Sequence, residues 1–146
     1  MTSSRIRCWQ RWLLVSVTTG GAIVVCGNKA FAQGIVVDNS PETSLGTIIR
    51  TIDNNNLEIV GGTQVGEANL FHSFQEFNIG ELQRVDFQGV GIENIFSRVV
   101  GGNPSNILGT LGVNGEADLF LLNPSGIIFG PNAQLNLNGS FVGTTA

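Results

Sequence analysis

Short apolar segments separated by turn residues run along most of the chain. Alternation is cleanest near the C-terminal end, where Ala133, Leu135 and Leu137 would face inward and the residues between them outward. No long window shows a helical period, so the pattern predicts a nearly all-β domain. Strands are predicted at residues 35–37, 47–52, 57–60, 70–79, 82–87, 92–100, 107–111, 117–122, 127–129, 133–137 and 140–144.

The spacing of the last strands favours a solenoid. Leu119 and Phe141 lie 22 residues apart, and two further predicted strands lie between them. Three short strands in this length match one turn of a parallel β-helix, in which each coil packs on the next. Turn pairs such as Asn123-Pro124 and Asn138-Gly139 separate the strands. A β-sandwich is the alternative fold.

The segment around Phe74 leaves two arrangements open. In one straight strand, Phe71, Phe77 and Ile79 would share a face, and Leu70 and Phe74 would lie on the other. A strand covered on both faces accounts for this pattern. A bulge that shifts the register accounts for it equally well.

Residues 1–32 are predicted to be a signal peptide with a helical apolar part, outside the folded domain. Three arginines precede an apolar stretch of 15 residues that ends at Cys26. This is short for a membrane-spanning helix, which needs roughly 20 residues. Ala30-Phe31-Ala32 supplies a cleavage site, so the mature chain would start at Gln33. An uncleaved anchor and a lipoprotein attached at Cys26 are the alternatives.

Removing the leader makes the domain strongly acidic. Residues 33–146 contain three arginines, no lysine and eleven acids, which gives a net charge of −8. Because binding to phosphates needs a basic patch, this charge argues against nucleic acid as a partner. Both cysteines, Cys8 and Cys26, lie in the leader, so neither a disulfide nor a thiolate metal site is expected in the domain.

Candidate catalytic residues are few. His72 and Ser73 are neighbours, but consecutive strand residues point to opposite faces, so they cannot form a nucleophile pair. Glu116 and Asp118 would share a strand face, and paired carboxylates can act on a glycosidic bond. Their place at a strand entrance is also typical of solvated acids. Arg98 is expected to cover a strand edge. No catalytic, metal or cofactor site is therefore predicted.

Three segments, at residues 69–77, 97–111 and 121–130, resemble the N-terminal secretion domain of filamentous-haemagglutinin-type exoproteins, which use two-partner secretion. The resemblance covers about residues 34–146. The family motif Asn-Pro-Asn-Gly-Ile is matched by Asn123, Pro124, Ser125, Gly126 and Ile127, with serine in the third place. Serine can still supply a turn hydrogen bond. A second motif, Asn-Pro-Asn-Leu, has only a partial echo at residues 103–106.

The resemblance implies a right-handed parallel β-helix with an N-terminal cap, and a secretion domain at residues 33–146 that is incomplete at its C-terminal end. It implies a chain exported through the periplasm and then secreted or held at the cell surface. The implied partner is an outer-membrane β-barrel transporter with periplasmic recognition domains, and residues 123–127 would be the secretion motif. The expected function is secretion and adhesion without enzymatic activity. A carbohydrate-active β-helix enzyme and a structural surface-layer protein are the alternatives.

Overall fold

The computed structural model describes residues 34–146, and this part of the chain is all β. No helix in it is long and apolar enough to cross a membrane. The predicted signal peptide lies outside the described residues. The strands are β1 (Val36–Val37), β2 (Thr47–Thr51), β3 (Asn56–Gly61), β4 (Thr63–Val65), β5 (Asn69–Glu76), β6 (Arg84–Gln88), β7 (Asn94–Val99), β8 (Ser105–Ile107), β9 (Thr110–Asn114), β10 (Asp118–Leu122), β11 (Ile127–Phe129), β12 (Gln134–Asn136) and β13 (Phe141–Thr144).

The chain winds repeatedly through three sheets whose successive strands run parallel. The first sheet stacks β5, β7, β10 and β13, the second stacks β3, β6, β9 and β12, and the third pairs β8 with β11. We call β3 and β5 layer one, β6 to β8 layer two, β9 to β11 layer three, and β12 and β13 layer four. Leu119 pairs in parallel with Ile95 below it and Phe141 above it. The predicted parallel β-helix is therefore confirmed, and the 22-residue spacing is one turn.

Antiparallel strands close the N-terminal end of the solenoid. β2 pairs antiparallel with β3, while β1 and β4 pair antiparallel with β5. We call β1, β2 and β4 the cap. The reversal of direction ends the parallel stack, as the predicted N-terminal cap requires.

The core is a slender column of stacked apolar rows. Leu70, Ile95 and Leu119 form one buried row along the first sheet, because parallel pairing in register places equivalent side chains above one another. Aromatic side chains fill the end nearest the cap: the ring centroids of Phe74 and Phe77 are 5.0 Å apart, and those of Phe77 and Phe87 are 5.9 Å apart. No coil could bury these side chains alone, so each layer depends on its neighbours.

A second aromatic row lies on the outer face of the first sheet. The centroids of Phe71 and Phe96 are 4.9 Å apart, and those of Phe96 and Phe120 are 4.8 Å apart, with nearly parallel rings. We call these three residues the outer aromatic ladder. The end of β5 at Glu76 resolves the ambiguous segment: the predicted single strand at residues 70–79 stops there, so Phe77 reaches the core from a separate corner and does not share a straight strand with Phe71.

Three further details differ from the predicted strands. Residues 107–111 form the end of β8 and the start of β9, because the chain turns at Gly109, where a Cβ would overlap backbone oxygens of the layer below. β4 was not predicted, since its side chains are all exposed and its pattern lacks an apolar face. Leu135 pairs in register with buried Leu111 but is itself 46% exposed.

Candidate functional site

The predicted secretion motif forms the corner between β10 and β11. The Gly126 amide donates to the Asn123 carbonyl oxygen at 3.0 Å, and the Ser125 amide donates to Asn123 Oδ1 at 2.9 Å. This is a tight turn fixed by an asparagine side chain that accepts from the backbone two residues on. Gly126 has φ +120°, which side chains other than glycine rarely adopt. Pro124 occupies the position whose φ a proline presets.

Asn123 connects three layers of the solenoid. Its side chain is fully buried, and Nδ2 donates to the Asn103 carbonyl oxygen at 3.0 Å and to Ser105 Oγ at 2.9 Å, both in layer two. Its backbone amide donates to the Thr144 carbonyl oxygen, 3.0 Å away in layer four. Both polar atoms of the side chain therefore have partners, so its burial leaves no unsatisfied group.

The other motif residues divide between surface and interior. Pro124 and Ser125 are exposed, whereas Ile127 is half-buried against the core and pairs in parallel with Ser105. The Gly126 carbonyl oxygen accepts from the Ser105 amide at 2.9 Å. The five predicted residues thus lie together at one corner, and their role in secretion stays a prediction.

The partial echo at residues 103–106 lies directly beneath this corner. Asn106 donates from its backbone and side-chain nitrogens to Asn78 Oδ1, at 2.8 and 3.3 Å. Asn103 Nδ2 donates to Glu76 Oε1 at 2.7 Å. Polar side chains therefore link layers one, two and three at this edge of the solenoid. Sequence reasoning named the segment that contains Ser105 but missed the contacts of Ser105 and Asn78, because their partners lie 18 and 28 residues away along the chain.

A buried carboxylate ties the cap to the first sheet. Asp38 accepts from Ser73 Oγ at 2.8 Å, from the Ser40 amide at 3.0 Å, and from the Ser40 hydroxyl. These hydrogen bonds, that of the Ser40 hydroxyl above all, hold the pKa of Asp38 well below its usual range. Arg98 donates to Ser73 Oγ at 3.2 Å and to the Thr43 carbonyl oxygen at 2.7 Å. Arg98 therefore covers the outer face of β5 and holds the loop after β1.

His72 and Ser73 lie on opposite faces of β5, as the strand geometry predicts. His72 faces the core, fully buried, with its ring centroid 5.4 Å from that of Phe87. Burial lowers its pKa to about 4, because the charged form would lose its hydration. The Ser73 side chain thus hydrogen-bonds to the cap, whereas the His72 side chain faces the interior, so the two side chains do not meet.

The two candidate carboxylates, Glu116 and Asp118, differ in exposure and in their contacts. Glu116 is exposed, whereas Asp118 Oδ1 accepts from the Ser140 amide at 2.6 Å and so fixes the start of the next layer. Both line a shallow depression together with Glu93. Within residues 34–146, no group of three histidine, aspartate or glutamate side chains is arranged to hold a metal ion.

Comparison with known proteins agrees with the fold. Residues 32–146 match the family described as the TPS secretion domain. Two proteins named heme/hemopexin-binding protein, both from Haemophilus influenzae, are also similar. One is 36% identical over 72 residues, which are 49% of this chain and 8% of that protein. The other is 28% identical over 119 residues, which are 80% of this chain and 12% of that protein. The match that spans residues 32–146 covers every described strand, and the chain therefore belongs to the TPS secretion domain family.

Proposed function

We propose that the chain is a non-enzymatic module that directs export by two-partner secretion. It crosses the periplasm, is recognised there by the periplasmic domains of an outer-membrane β-barrel transporter, and folds outside, where its product is secreted or stays at the cell surface. The family match over residues 32–146 carries this proposal. The solenoid supports it, because each layer pairs with the layer before it and can add to the stack in chain order.

The proposed mechanism uses backbone recognition followed by stepwise folding. An extended chain can add its strands to an exposed sheet edge of the transporter, so main-chain hydrogen bonds give affinity. Each emerging coil then pairs in parallel with the one before it and buries another set of apolar residues. This burial favours outward movement of the chain. Residues 33–146 contain no cysteine, so no cross-link obstructs threading.

We infer that the motif at residues 123–127 supports export by closing its corner as the chain folds. Asn123 is fully buried in the folded domain and hydrogen-bonded to layer two, so a partner cannot contact its side chain there. Pro124 and Ser125 are the exposed members of the motif. Surface recognition would therefore depend on Pro124 and Ser125, whereas corner closure depends on Asn123 and Gly126.

Secretion of the full chain, with and without the partner transporter, tests the proposal. We expect the chain in the medium only when the transporter is present. We expect Asn123→Ala to lower secretion strongly and Ser125→Ala to leave it nearly unchanged. Asn132→Ala, at an exposed turn asparagine, is the matched control. Secretion that is indifferent to the transporter would overturn the proposed route, and a loss confined to Ser125→Ala would overturn corner closure.

We propose an adhesive or ligand-capturing role only as an addition to secretion. The similar Haemophilus influenzae proteins are named for binding heme and hemopexin, and the chain spans 8% and 12% of their lengths. Binding of the purified full chain to heme and to hemopexin, measured by calorimetry, tests whether these residues contribute. Absence of binding to both would remove this role from the chain and leave the secretion proposal intact.

A further inference from the structure

His72 lies where the cap meets the first two layers. Its Nδ1 is 3.2 Å from Thr47 Oγ1 on cap strand β2, and its ring packs beside Phe87 of the second sheet. On the next strand of the first sheet, Ser97 is its register partner and is also buried. Gly62 leaves room for the ring, since a Cβ there would lie 2.8 Å from His72 Cε1. The titratable side chain of His72 thus belongs to layer one, contacts the cap through Thr47 and packs against layer two through Phe87.

The hydrogen bonds around Thr47 suit a neutral His72 ring. Thr47 Oγ1 accepts from the Ser73 amide at 3.2 Å, and it still has one lone pair and its hydroxyl proton available for His72 Nδ1. In either neutral tautomer Nδ1 and Thr47 Oγ1 share one hydrogen bond: Nδ1 accepts it when the ring proton is on Nε2 and donates it when the proton is on Nδ1. Nε2 is buried without a hydrogen-bond partner in the described structure, and so is Ser97 Oγ. The junction therefore accommodates a neutral ring and offers no counter-ion for a charged one.

The charged groups on the surrounding described strands do not balance a positive charge on His72. The carboxylates already have partners: Asp38 binds Ser40 and Ser73, Glu58 binds Arg50, Asp86 binds Arg84, and Glu76 binds Asn103. Arg98 is engaged with Ser73 and Thr43. Within residues 34–146, none of these groups hydrogen-bonds to His72, so a second proton on the ring would place an unpaired charge in the core.

We propose that His72 is an acid-sensitive latch between the cap and the first two layers. The neutral ring holds Thr47 and packs on Phe87. Protonation makes both ring nitrogens donors and adds a buried charge, so the protonated chain gains stability by opening this junction and hydrating the ring. The proposal goes beyond secretion and does not rest on it, because it concerns the folded domain alone.

The direction of the pH effect follows from the difference between folded and unfolded states. Burial lowers the pKa of His72 to about 4 in the folded domain, below the ordinary value of 6.5. The unfolded chain therefore binds a proton that the folded chain does not, in the window between these values. The contribution of the neutral His72 ring to stability is present above the ordinary pKa of 6.5, and it is lost as the pH falls from there toward 4. We expect the unfolding equilibrium constant to rise about 30-fold between pH 7.5 and 5.

Titration of the wild-type full chain by NMR is the first test. The sequence contains one histidine, so the ring signals belong to His72 without further assignment. We expect the folded-state signals to stay neutral down to about pH 5. A ring that titrates near pH 6.5 while the domain remains folded would overturn the latch.

Urea unfolding of His72→Gln and wild type at pH 7.5 and 5 is the second test. Glutamine keeps an acceptor near Thr47 but does not titrate, so the variant is expected to lose most of the 30-fold change. Ser97→Ala keeps the histidine and is expected to retain the change. In the wild-type chain at pH 5, hydrogen exchange should be faster at the Ser73 amide than at the amides of β10 and β13, because the junction opens without complete unfolding. A variant with unchanged pH dependence, or an exchange rate of the wild-type Ser73 amide at pH 5 no faster than those of β10 and β13, would contradict the proposal. Should His72→Gln fail to fold, the NMR titration and the exchange pattern of the wild type decide.

Discussion

Single polar residues hold successive layers together at the edges of the solenoid. Asn123 contacts layers two and four from layer three, and Asn78 and Asp38 play comparable parts near the cap. When such a buried polar side chain is removed, its former partners stay buried without a hydrogen bond, and this accounts for most of the loss in stability. These residues are therefore where single substitutions should have the largest effects relative to their size.

Asn123→Ala is expected to lower the free energy of unfolding by about 2–3 kcal/mol, because Ser105 Oγ and the Asn103 carbonyl oxygen lose their donor. Urea unfolding of the full chain at pH 7.5 measures the change. Asn132→Ala removes an exposed asparagine and should shift stability by less than about 0.5 kcal/mol. Equal effects of the two substitutions would show that the buried amide has no special role.

Asp38→Asn is expected to cost about 2 kcal/mol at pH 7, because the carboxylate accepts several hydrogen bonds that an amide cannot all replace. The pKa of Asp38 is lowered by these bonds, so its stabilising effect is present above the ordinary aspartate value of about 4 and is lost as the pH falls below it. The gap between wild type and variant in urea unfolding should therefore be narrower at pH 3 than at pH 7. A gap that is constant with pH would contradict this account.

Between strands, the register of parallel pairing decides which side chains stack on one another. The outer aromatic ladder exists because Phe71, Phe96 and Phe120 occupy equivalent positions in three parallel strands. Stacked rings on an outer face stabilise the pairing of layers independently of the core. Phe96 is the central member and contacts a ring on each side.

Phe96→Ala is expected to destabilise the domain by about 2–3 kcal/mol, because both stacked contacts are lost and the ring is half-buried. Phe120→Ala removes one stacked contact and should cost less. Thermal unfolding of the full chain compares the two variants. If Phe120→Ala cost as much as Phe96→Ala, stacking within the ladder would not be the cause.

The sequence predicted the parallel coil and the corner at residues 123–127, because local alternation and turn residues carry that information. It did not distinguish β8 from β9, since an apolar run does not show where a chain changes sheets. That boundary depends on Gly109 passing close to Gly80 and Gln83, a contact between residues distant in sequence. The roles of Asp38 and Ser105 were missed for the same reason: their partners are 35 and 18 residues away.

At the scale of the whole molecule, the two ends of the described solenoid differ. The cap covers the N-terminal end with antiparallel strands, whereas large apolar side chains of the third and fourth layers are exposed. Phe129 is 44% exposed and Leu135 46% exposed, although both stand in register with core residues of the layer below. Exposed apolar surface beside unpaired strand edges favours association.

A chain of residues 1–146, purified by itself, is expected to self-associate, and the double variant Phe129→Ser, Leu135→Ser should do so less. Sedimentation velocity over a tenfold range of concentration measures the change. Val90→Ser serves as the control, because Val90 is 75% exposed but lies at a turn away from this end. A wild-type chain that stays monomeric throughout the range would contradict the expectation.

The rows stay aligned although the coils differ in length. Leu70, Ile95, Leu119 and Phe141 stand above one another, yet the three intervals between them contain different numbers of residues. The difference is absorbed at the corners, one of which contains Gly102, exposed and with open space around it. A foreign peptide spliced in at that point would extend a corner and leave every strand in place, so the domain could display a chosen epitope at its side.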